Sequence, residues 1–122
     1  MPESVESKRV LIVEDEPYLC DLIADVLEAE GHVPTKAANG LEALNHVTAD
    51  PPQLILLDLM MPVMDGWEFR RRQQADPAVS GVPVIVLSAL DPSRAADVNA
   101  NAFLKKPLDF DRLLALVRGY CR

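Results

Sequence analysis

Three apolar runs in this sequence each end on groups capable of polar chemistry. Leu54-Ile55-Leu56-Leu57 ends on Asp58, Val10-Leu11-Ile12-Val13 on Glu14-Asp15-Glu16, and Val84-Ile85-Val86-Leu87 on Ser88. Core packing alone requires no such arrangement. Pro62 and the Asp65-Gly66 pair follow Asp58 closely, so the chain turns and leaves the carboxylate at the mouth of a sheet. Glu14, Asp15 and Asp58 gathered at one sheet edge would repel, and at least one pKa should rise unless a cation compensates. Lys106 is one candidate counter-charge. A divalent hard cation is the other, and Mg2+ suits it, because Mg2+ binds through one or two carboxylates and keeps oxygen ligands from water and phosphate; Mn2+ is the alternative ion.

An aspartate in that position either only ligates metal or acts as a nucleophile that accepts a phosphoryl group as an acyl phosphate. Phosphoryl transfer depends mainly on positioning and charge neutralisation. The Lys106 ammonium and the Ser88 hydroxyl are suitable donors, and Ala89 leaves space for the transferred group. Taken singly, each residue has an ordinary explanation. An acidic residue after a strand is commonly a helix cap, Asp65-Gly66 a turn, Lys106-Pro107 a strand terminus, and Ser88 the cap of the next turn. Their joint occurrence, in order, on one pattern of elements carries the functional reading.

The elements that must position these groups alternate along the chain. Strands are predicted over 9–15, 32–37, up to Asp58, 82–88 and 102–105; helices over 17–30, 40–49, 66–74, a short one over 92–98, and 109–120. Tyr18, Leu19, Leu22, Ile23, Val26 and Leu27 form the apolar stripe of the first helix, and Phe110, Leu113, Leu114 and Val117 that of the last. Gly31 suits a helix C′ position and Asp109 an N-cap. Pro34 cannot donate to a ladder, so its strand belongs at a sheet edge. Continuous apolar runs mark strands covered on both faces, hence an α/β fold, a (βα)5 doubly wound parallel sheet. Such sheets bind ligands at the carboxyl ends of their strands. Asp15, Asp58 and Ser88 meet there.

The 122 residues suffice for one domain, and an apolar content of 49% is that of a globular chain. A net charge of -7 argues against direct nucleic-acid binding and against adhesion to anionic membranes. No apolar stretch approaches the length of a membrane span, and residues 1–7 lack the core of a signal peptide. Cys20 and Cys121 show no metal-ligand spacing and read as reduced thiols of a cytoplasmic protein.

Together, VLIVEDEP (10–17), LILLDLMMPVMDGWEF (54–69), PVIVLSA (83–89) and FLKKPLD (103–109) resemble the receiver domain of two-component response regulators. The resemblance spans residues 8 to 120. It implies the flavodoxin-like strand order 2-1-3-4-5, with residues 1–7 as a flexible tail and 8–122 as the receiver. It also implies Asp58 as the phosphoacceptor, and Asp15, Asp58 and the Met60 backbone carbonyl as Mg2+ ligands, with Glu14 acting through a metal-bound water. Lys106 would bind the phosphoryl group, Lys106-Pro107 would be a cis peptide, and Ser88 and Phe103 would be the switch residues. Apolar Met60 and Leu90 beside the site imply a long-lived phosphoform.

Three features depart from the family pattern. Ser88 stands for the commoner Thr, and Asn99 for Gly before the last strand, where Asn also tolerates the left-handed conformation. The segment from Ser88 to Lys106 is about one helical turn short, which implies a shortened fourth helix. Trp67 and Phe69 open the third helix; Phe69 reads as core, while Trp67 suits partial exposure and a role as contact or reporter.

The chain is expected to act as a stand-alone receiver, not as an enzyme in its own right. It would take a phosphoryl group from a histidine kinase or histidine phosphotransfer protein and signal to an unidentified output protein. An interaction scaffold indifferent to phosphorylation is the alternative. An Asp-nucleophile phosphohydrolase would need a second acid close after Asp58, where Leu59 and Met60 stand. A flavin module would need a phosphate-binding loop in place of Glu14-Asp15-Glu16.

Overall fold

The computed structural model describes residues 8–120; the predicted tail over 1–7, and Cys121, lie outside them. In chain order the elements are β1 (Arg9–Val13), α1 (Pro17–Ala29), β2 (Val33–Ala37), α2 (Gly40–Ala49), β3 (Leu54–Asp58) and α3 (Gly66–Gln74), then β4 (Val84–Ser88), two 3-10 turns (Pro92–Arg94 and Ala96–Val98), β5 (Ala102–Lys105) and α4 (Phe110–Tyr120). All strand pairs are parallel, in the order β2-β1-β3-β4-β5. β2 is the predicted edge strand, with Pro34 opposite Val10. Among the described residues no helix is long and apolar enough to cross a membrane.

Strand alternation divides the core between the two faces of the sheet. Val10, Ile12, Leu54, Leu56, Ile85 and Leu87 pack with Ile23 and Leu27 of α1 and Leu113 and Val117 of α4. Leu11, Val13, Ile55, Leu57, Val84 and Val86 pack with Ala43 and Val47 of α2 and Phe69 of α3. Every residue of β3 and β4 is buried, so these strands read as unbroken apolar runs. The helix ends follow local chemistry. Glu16 caps α1 by accepting from Tyr18 and Leu19 N–H groups, Asp65 caps α3 through Glu68 N, and Asp109 accepts from Arg112 N. Gly31 follows α1 at φ 86 as expected of a C′ residue.

The fourth helix is short, as predicted over 92–98. It winds as two 3-10 turns, closed by i→i+3 bonds such as Ala95 N to Pro92 O and Val98 N to Ala95 O. Residues 89–101 must run back along the whole sheet, roughly 17 Å for a five-residue strand. A 3-10 turn advances ~2.0 Å per residue against ~1.5 Å for an α-helix, so these turns cover more length per residue. Asn99 ends the second turn in the left-handed region, φ 59 and ψ 49, as its residue type predicted.

A buried polar clasp holds this connector to α3. Arg70, 7% exposed, donates from Nε to Val98 O at 3.2 Å and from a terminal nitrogen to Asn99 O at 2.6 Å, and donates also to Gln73 Oε1 at 2.8 Å. Gln73 in turn donates to Val79 O and Val82 O. Burial pushes the Arg70 pKa down, yet the guanidinium satisfies carbonyls that a longer helix would have bonded itself. Arg70→Met should lower stability by about 1.5 kcal/mol in urea denaturation, because unpaired carbonyls cost more than the relieved desolvation returns. Arg70→Lys should restore little of it, since an ammonium cannot reproduce the fork.

The β3–α3 loop is strained at one point. Val63 has φ 70, and Met64 N donates to Pro62 O at 2.7 Å, which closes a γ-turn around a β-branched residue that is 78% exposed. Positive-φ γ-turns are rare and strained. Val63→Gly is therefore expected to stabilise the protein by about 1 kcal/mol, read as a higher urea midpoint at unchanged slope.

Candidate acidic site

The site lies where β1, β3, β4 and β5 release the chain. Asp58, the last residue of β3, is 4% exposed, and Glu14, just beyond β1, is 2% exposed; the adjacent Asp15 faces solvent. Each offers a carboxylate oxygen, and these atoms lie within 4.8 Å of one another. Gly66 makes the tight turn after Asp58 feasible: its N donates to Leu59 O, and any Cβ there would stand 2.6 Å from the Asp58 carbonyl oxygen. The start of α3 is thereby seated directly against the end of β3.

Lys106 reaches in from the end of β5, half-buried. Its Nζ donates to Glu14 Oε1 at 2.8 Å and stands 3.6 Å from Asp58 Oδ1. Glu14 also accepts from Glu16 N at 3.2 Å, and Asp58 accepts a long bond from Met60 N at 3.4 Å. One ammonium thus serves two of the three carboxylates, Glu14 and Asp58, and favours Glu14. Asp58 carries the consequence: burial first, then the Glu14 charge, push its pKa up to about 7, with Lys106 working against them. Burial alone would lower the Lys106 pKa, but the Glu14 hydrogen bond and the Asp58 charge outweigh it and raise the value. The cluster has excess negative charge, buried oxygens and an open side at Asp15, a donor set that fits a hard divalent cation.

The other expected residues stand on β4, β5, α3 and the loops that follow the strands. Ser88 is fully buried, and its Oγ accepts from Leu90 N at 3.1 Å, so in this state it caps the turn after β4. Ala89 is exposed beside it and Leu90 half-buried. The Lys106-Pro107 peptide is cis. Met60 is 62% exposed at the mouth. Phe103 is half-buried and lines a groove of ≈ 250 Å³ beneath the connector, together with Val86, Ala95 and Ala100. Phe69 is fully buried, as read from sequence, whereas Trp67 is half-buried with its Nε1 donating to Asp97 Oδ1 at 3.0 Å. Cys20 is a buried free thiol whose pKa burial pushes up to about 11, which makes it a poor nucleophile. Two features went unread in the sequence. The preference of Lys106 for Glu14 joins residues far apart in the chain, and Arg70 stands in a run of three arginines that gives no sign of which is buried.

Residues 10–118 match the family model of the response regulator receiver domain. Among curated relatives, the chain is 35% identical over 93% of its length to the DNA-binding dual master transcriptional regulator RpaA of Synechocystis, of which it spans 49%. It is 32% identical over 93% of its length to the polar-differentiation response regulator DivK of Brucella anthropi, of which it spans 95%. The chain thus spans about half of some of these relatives and nearly all of others. Among solved structures, the receiver domain of a Syntrophus aciditrophicus histidine kinase superposes with a TM-score of 0.89 at 32% identity, covering 94% of this chain and 90% of that one. The receiver domain of a Pseudomonas aeruginosa sensor histidine kinase, with a magnesium ion coordinated in its active-site cleft, superposes with a TM-score of 0.88 at 28% identity, covering 95% and 98%. With its parallel sheet in the order 2-1-3-4-5 and its acidic pocket of Glu14, Asp15 and Asp58, this chain belongs to the response regulator receiver domain family.

Proposed function

We propose that Asp58 is the phosphoacceptor of a two-component or phosphorelay system. The observation that carries this reading is a buried carboxylate with two further carboxylates and one ammonium around it, all at the open end of the sheet. An Asp58 carboxylate oxygen attacks the phosphorus of a donor phosphohistidine; the new O–P bond forms as the N–P bond breaks, and the departing imidazole takes up a proton. Lys106, already 3.6 Å from Asp58, stands ready to neutralise charge on the phosphoryl oxygens. Asp15, Asp58 and the Met60 carbonyl are the residues to hold Mg2+, with Glu14 acting through water; the ion, when bound, would offset the carboxylate charge and stabilise that of the phosphoryl group.

The donor is a histidine kinase or a histidine phosphotransfer protein, and the output is contact with another protein. Ser88 and Phe103 are the switch pair, the hydroxyl exchanging Leu90 N for a phosphoryl oxygen and the ring moving against the groove it lines. Incubation with Mg2+ and a small acyl phosphate should add one phosphoryl group to the protein by intact mass and none to Asp58→Asn. No adduct on the wild type, or an adduct that survives the substitution, would refute the reading. Apolar Met60 and Leu90 offer the attacking water no hydrogen bond, so the adduct should decay slowly after removal of the donor. Met60→Gln, which supplies such a bond, should shorten its lifetime.

A further inference from the structure

We propose that Gly40 is a positioning residue for the acidic site: from the start of α2 it grips Met64 and so braces the β3–α3 loop that carries the Met60 carbonyl. The inference rests on the Mg2+ site proposed above and adds to it a residue from outside the ligand set. The chain has five glycines. A Cβ would meet nothing within 4 Å at Gly31, Gly81 or Gly119. At Gly40 and Gly66 it would stand 2.6 Å from a backbone oxygen, that of Met64 and that of Asp58 respectively. Each of these two is the first residue of a helix, and both press on the same loop.

They hold it at different points. Gly66 closes the base of the loop by donating to Leu59 O at 2.9 Å. Gly40 holds the far end: its N–H donates to Met64 O at 2.9 Å, and a Cβ on it would lie 3.0 and 2.8 Å from the Met64 Cβ and Cγ. The first N–H groups of a helix have no partner within it, so α2 gives this donor up without loss to itself. The other hydrogen bonds of residues 60–65 stay close in sequence. Met60 N reaches Asp58, Met64 N reaches Pro62 O, and Asp65 oxygens accept from Glu68 N and Phe69 N. Among the described residues, the Gly40 bond is the one hydrogen bond that ties residues 60–65 to an element other than β3 and α3.

Both sides of this grip are fixed in turn. Asn39 Oδ1 accepts from Glu42 N and Glu42 Oε1 accepts from Ala38 N, both at 2.9 Å, and this reciprocal cap sets the direction of the Gly40 N–H. Met64 adjoins the strained Val63, whose γ-turn its own N–H closes. Backbone in such a conformation persists only where its surroundings over-determine it. Met64 supplies that constraint, held by Pro62 O through its N–H and by Gly40 through its carbonyl. Met60, exposed and with a long N–H bond of 3.4 Å, lies inside the loop so closed and takes the position of its carbonyl from it.

Metal-free wild type, Gly40→Ala and Gly119→Ala should be titrated with Mg2+ by calorimetry, with amide hydrogen exchange followed by NMR on the same proteins. Gly40→Ala should weaken Mg2+ binding about tenfold, the lower end of the loss when a supporting contact around a metal site is removed. Its amides over 60–66 should speed up by a larger factor than those of β1, β3 and β4. Gly119→Ala makes the same exchange inside a helix with open space around it, and should leave both readings unchanged. If Gly40→Ala does not fold, Asn39→Ala decides. That change adds no atoms and frays the start of α2, and it should weaken Mg2+ binding and loosen the loop in the same direction, by less. Wild-type affinity in the folded deciding variant would overturn the proposal, as would protection lost evenly over loop and strands. No uptake of Mg2+ by the wild type would count instead against the cation site, and the brace then stands or falls on the exchange of residues 60–66.

Discussion

Asp58→Asn should stabilise the metal-free protein, and the gain should grow with pH. In the folded chain the Asp58 pKa is pushed up to about 7 by burial and by Glu14, from an ordinary value of 3.8. The folded state therefore holds a proton that the unfolded chain has released, and stability tied to that proton is fully present below pH 4. It is lost as pH rises through 7. The whole shift corresponds to about 4 kcal/mol at 1.36 kcal/mol per pH unit; screening at the open mouth of the site reduces it, so about 2 kcal/mol is expected at pH 8. An amide carries no charge to bury, so the variant lacks this slope. Urea denaturation of both proteins from pH 4.5 to 8 should give curves that nearly meet at the acid end and separate toward the alkaline end. Saturating Mg2+ should raise the wild type at pH 8 and leave the variant almost unmoved. A separation independent of pH would mean that the carboxylate charge at Asp58 is not the cause.

Lys106→Met should have the largest effect in the opposite direction. It removes the ammonium 2.8 Å from Glu14 and 3.6 Å from Asp58 and leaves two nearly inaccessible carboxylates facing each other. Breaking a buried pair by deleting one partner typically costs 3–5 kcal/mol, and the lower end, about 3 kcal/mol, is expected here because Glu16 N still donates to Glu14. The raised Lys106 pKa keeps the wild-type ammonium charged across the neutral range, so its contribution fades only above pH 10.5. The cost should be greatest near pH 8 and shrink toward pH 5, where one carboxylate of the variant takes up a proton. The double variant Asp58→Asn, Lys106→Met should be more stable than the net loss of about 1 kcal/mol to which the two single effects add at pH 8, because the attraction between the two groups is lost only once. Simple additivity of the two single variants would refute a direct coupling.

These two expectations concern groups that were visible in the chain before any fold was known. β1, β3 and β4 are legible because a strand covered on both faces must be apolar at every position, and Val10–Val13, Leu54–Leu57 and Val84–Leu87 are. Pro34 placed β2 at the edge because it lacks the N–H that an inner strand needs. Asn99 and Gly31 announced left-handed positions by residue type. The site itself was legible for a related reason: its groups follow directly after strands, and parallel strands bring all their carboxyl ends to one edge.

What could not be read depends on contacts between elements distant along the chain. Lys106 was recognised as a counter-charge, but its preference for Glu14 over Asp58 comes from the relative placement of β1, β3 and β5. Ser88 was read as a site group and, taken singly, as the cap of the next turn; that its hydroxyl holds Leu90 N was settled only by the fold. The segment after Ser88 was seen to be short. That it winds as two separate 3-10 turns is seen only in the folded chain. Arg70, Arg71 and Arg72 are equivalent as sequence, yet Arg70 points into the protein while the other two pair with Glu68 at the surface.

By itself, then, the sequence determined the sheet, its edge, and the gathering of Glu14, Asp15, Asp58, Ser88 and Lys106 at one end, because buried parallel strands and their termini are written in local composition. Only the tertiary structure decided which carboxylate holds the lysine, how the shortened connector winds and what ties it to α3. Those outcomes are set by angles and distances between packed elements, which no stretch of residues encodes alone.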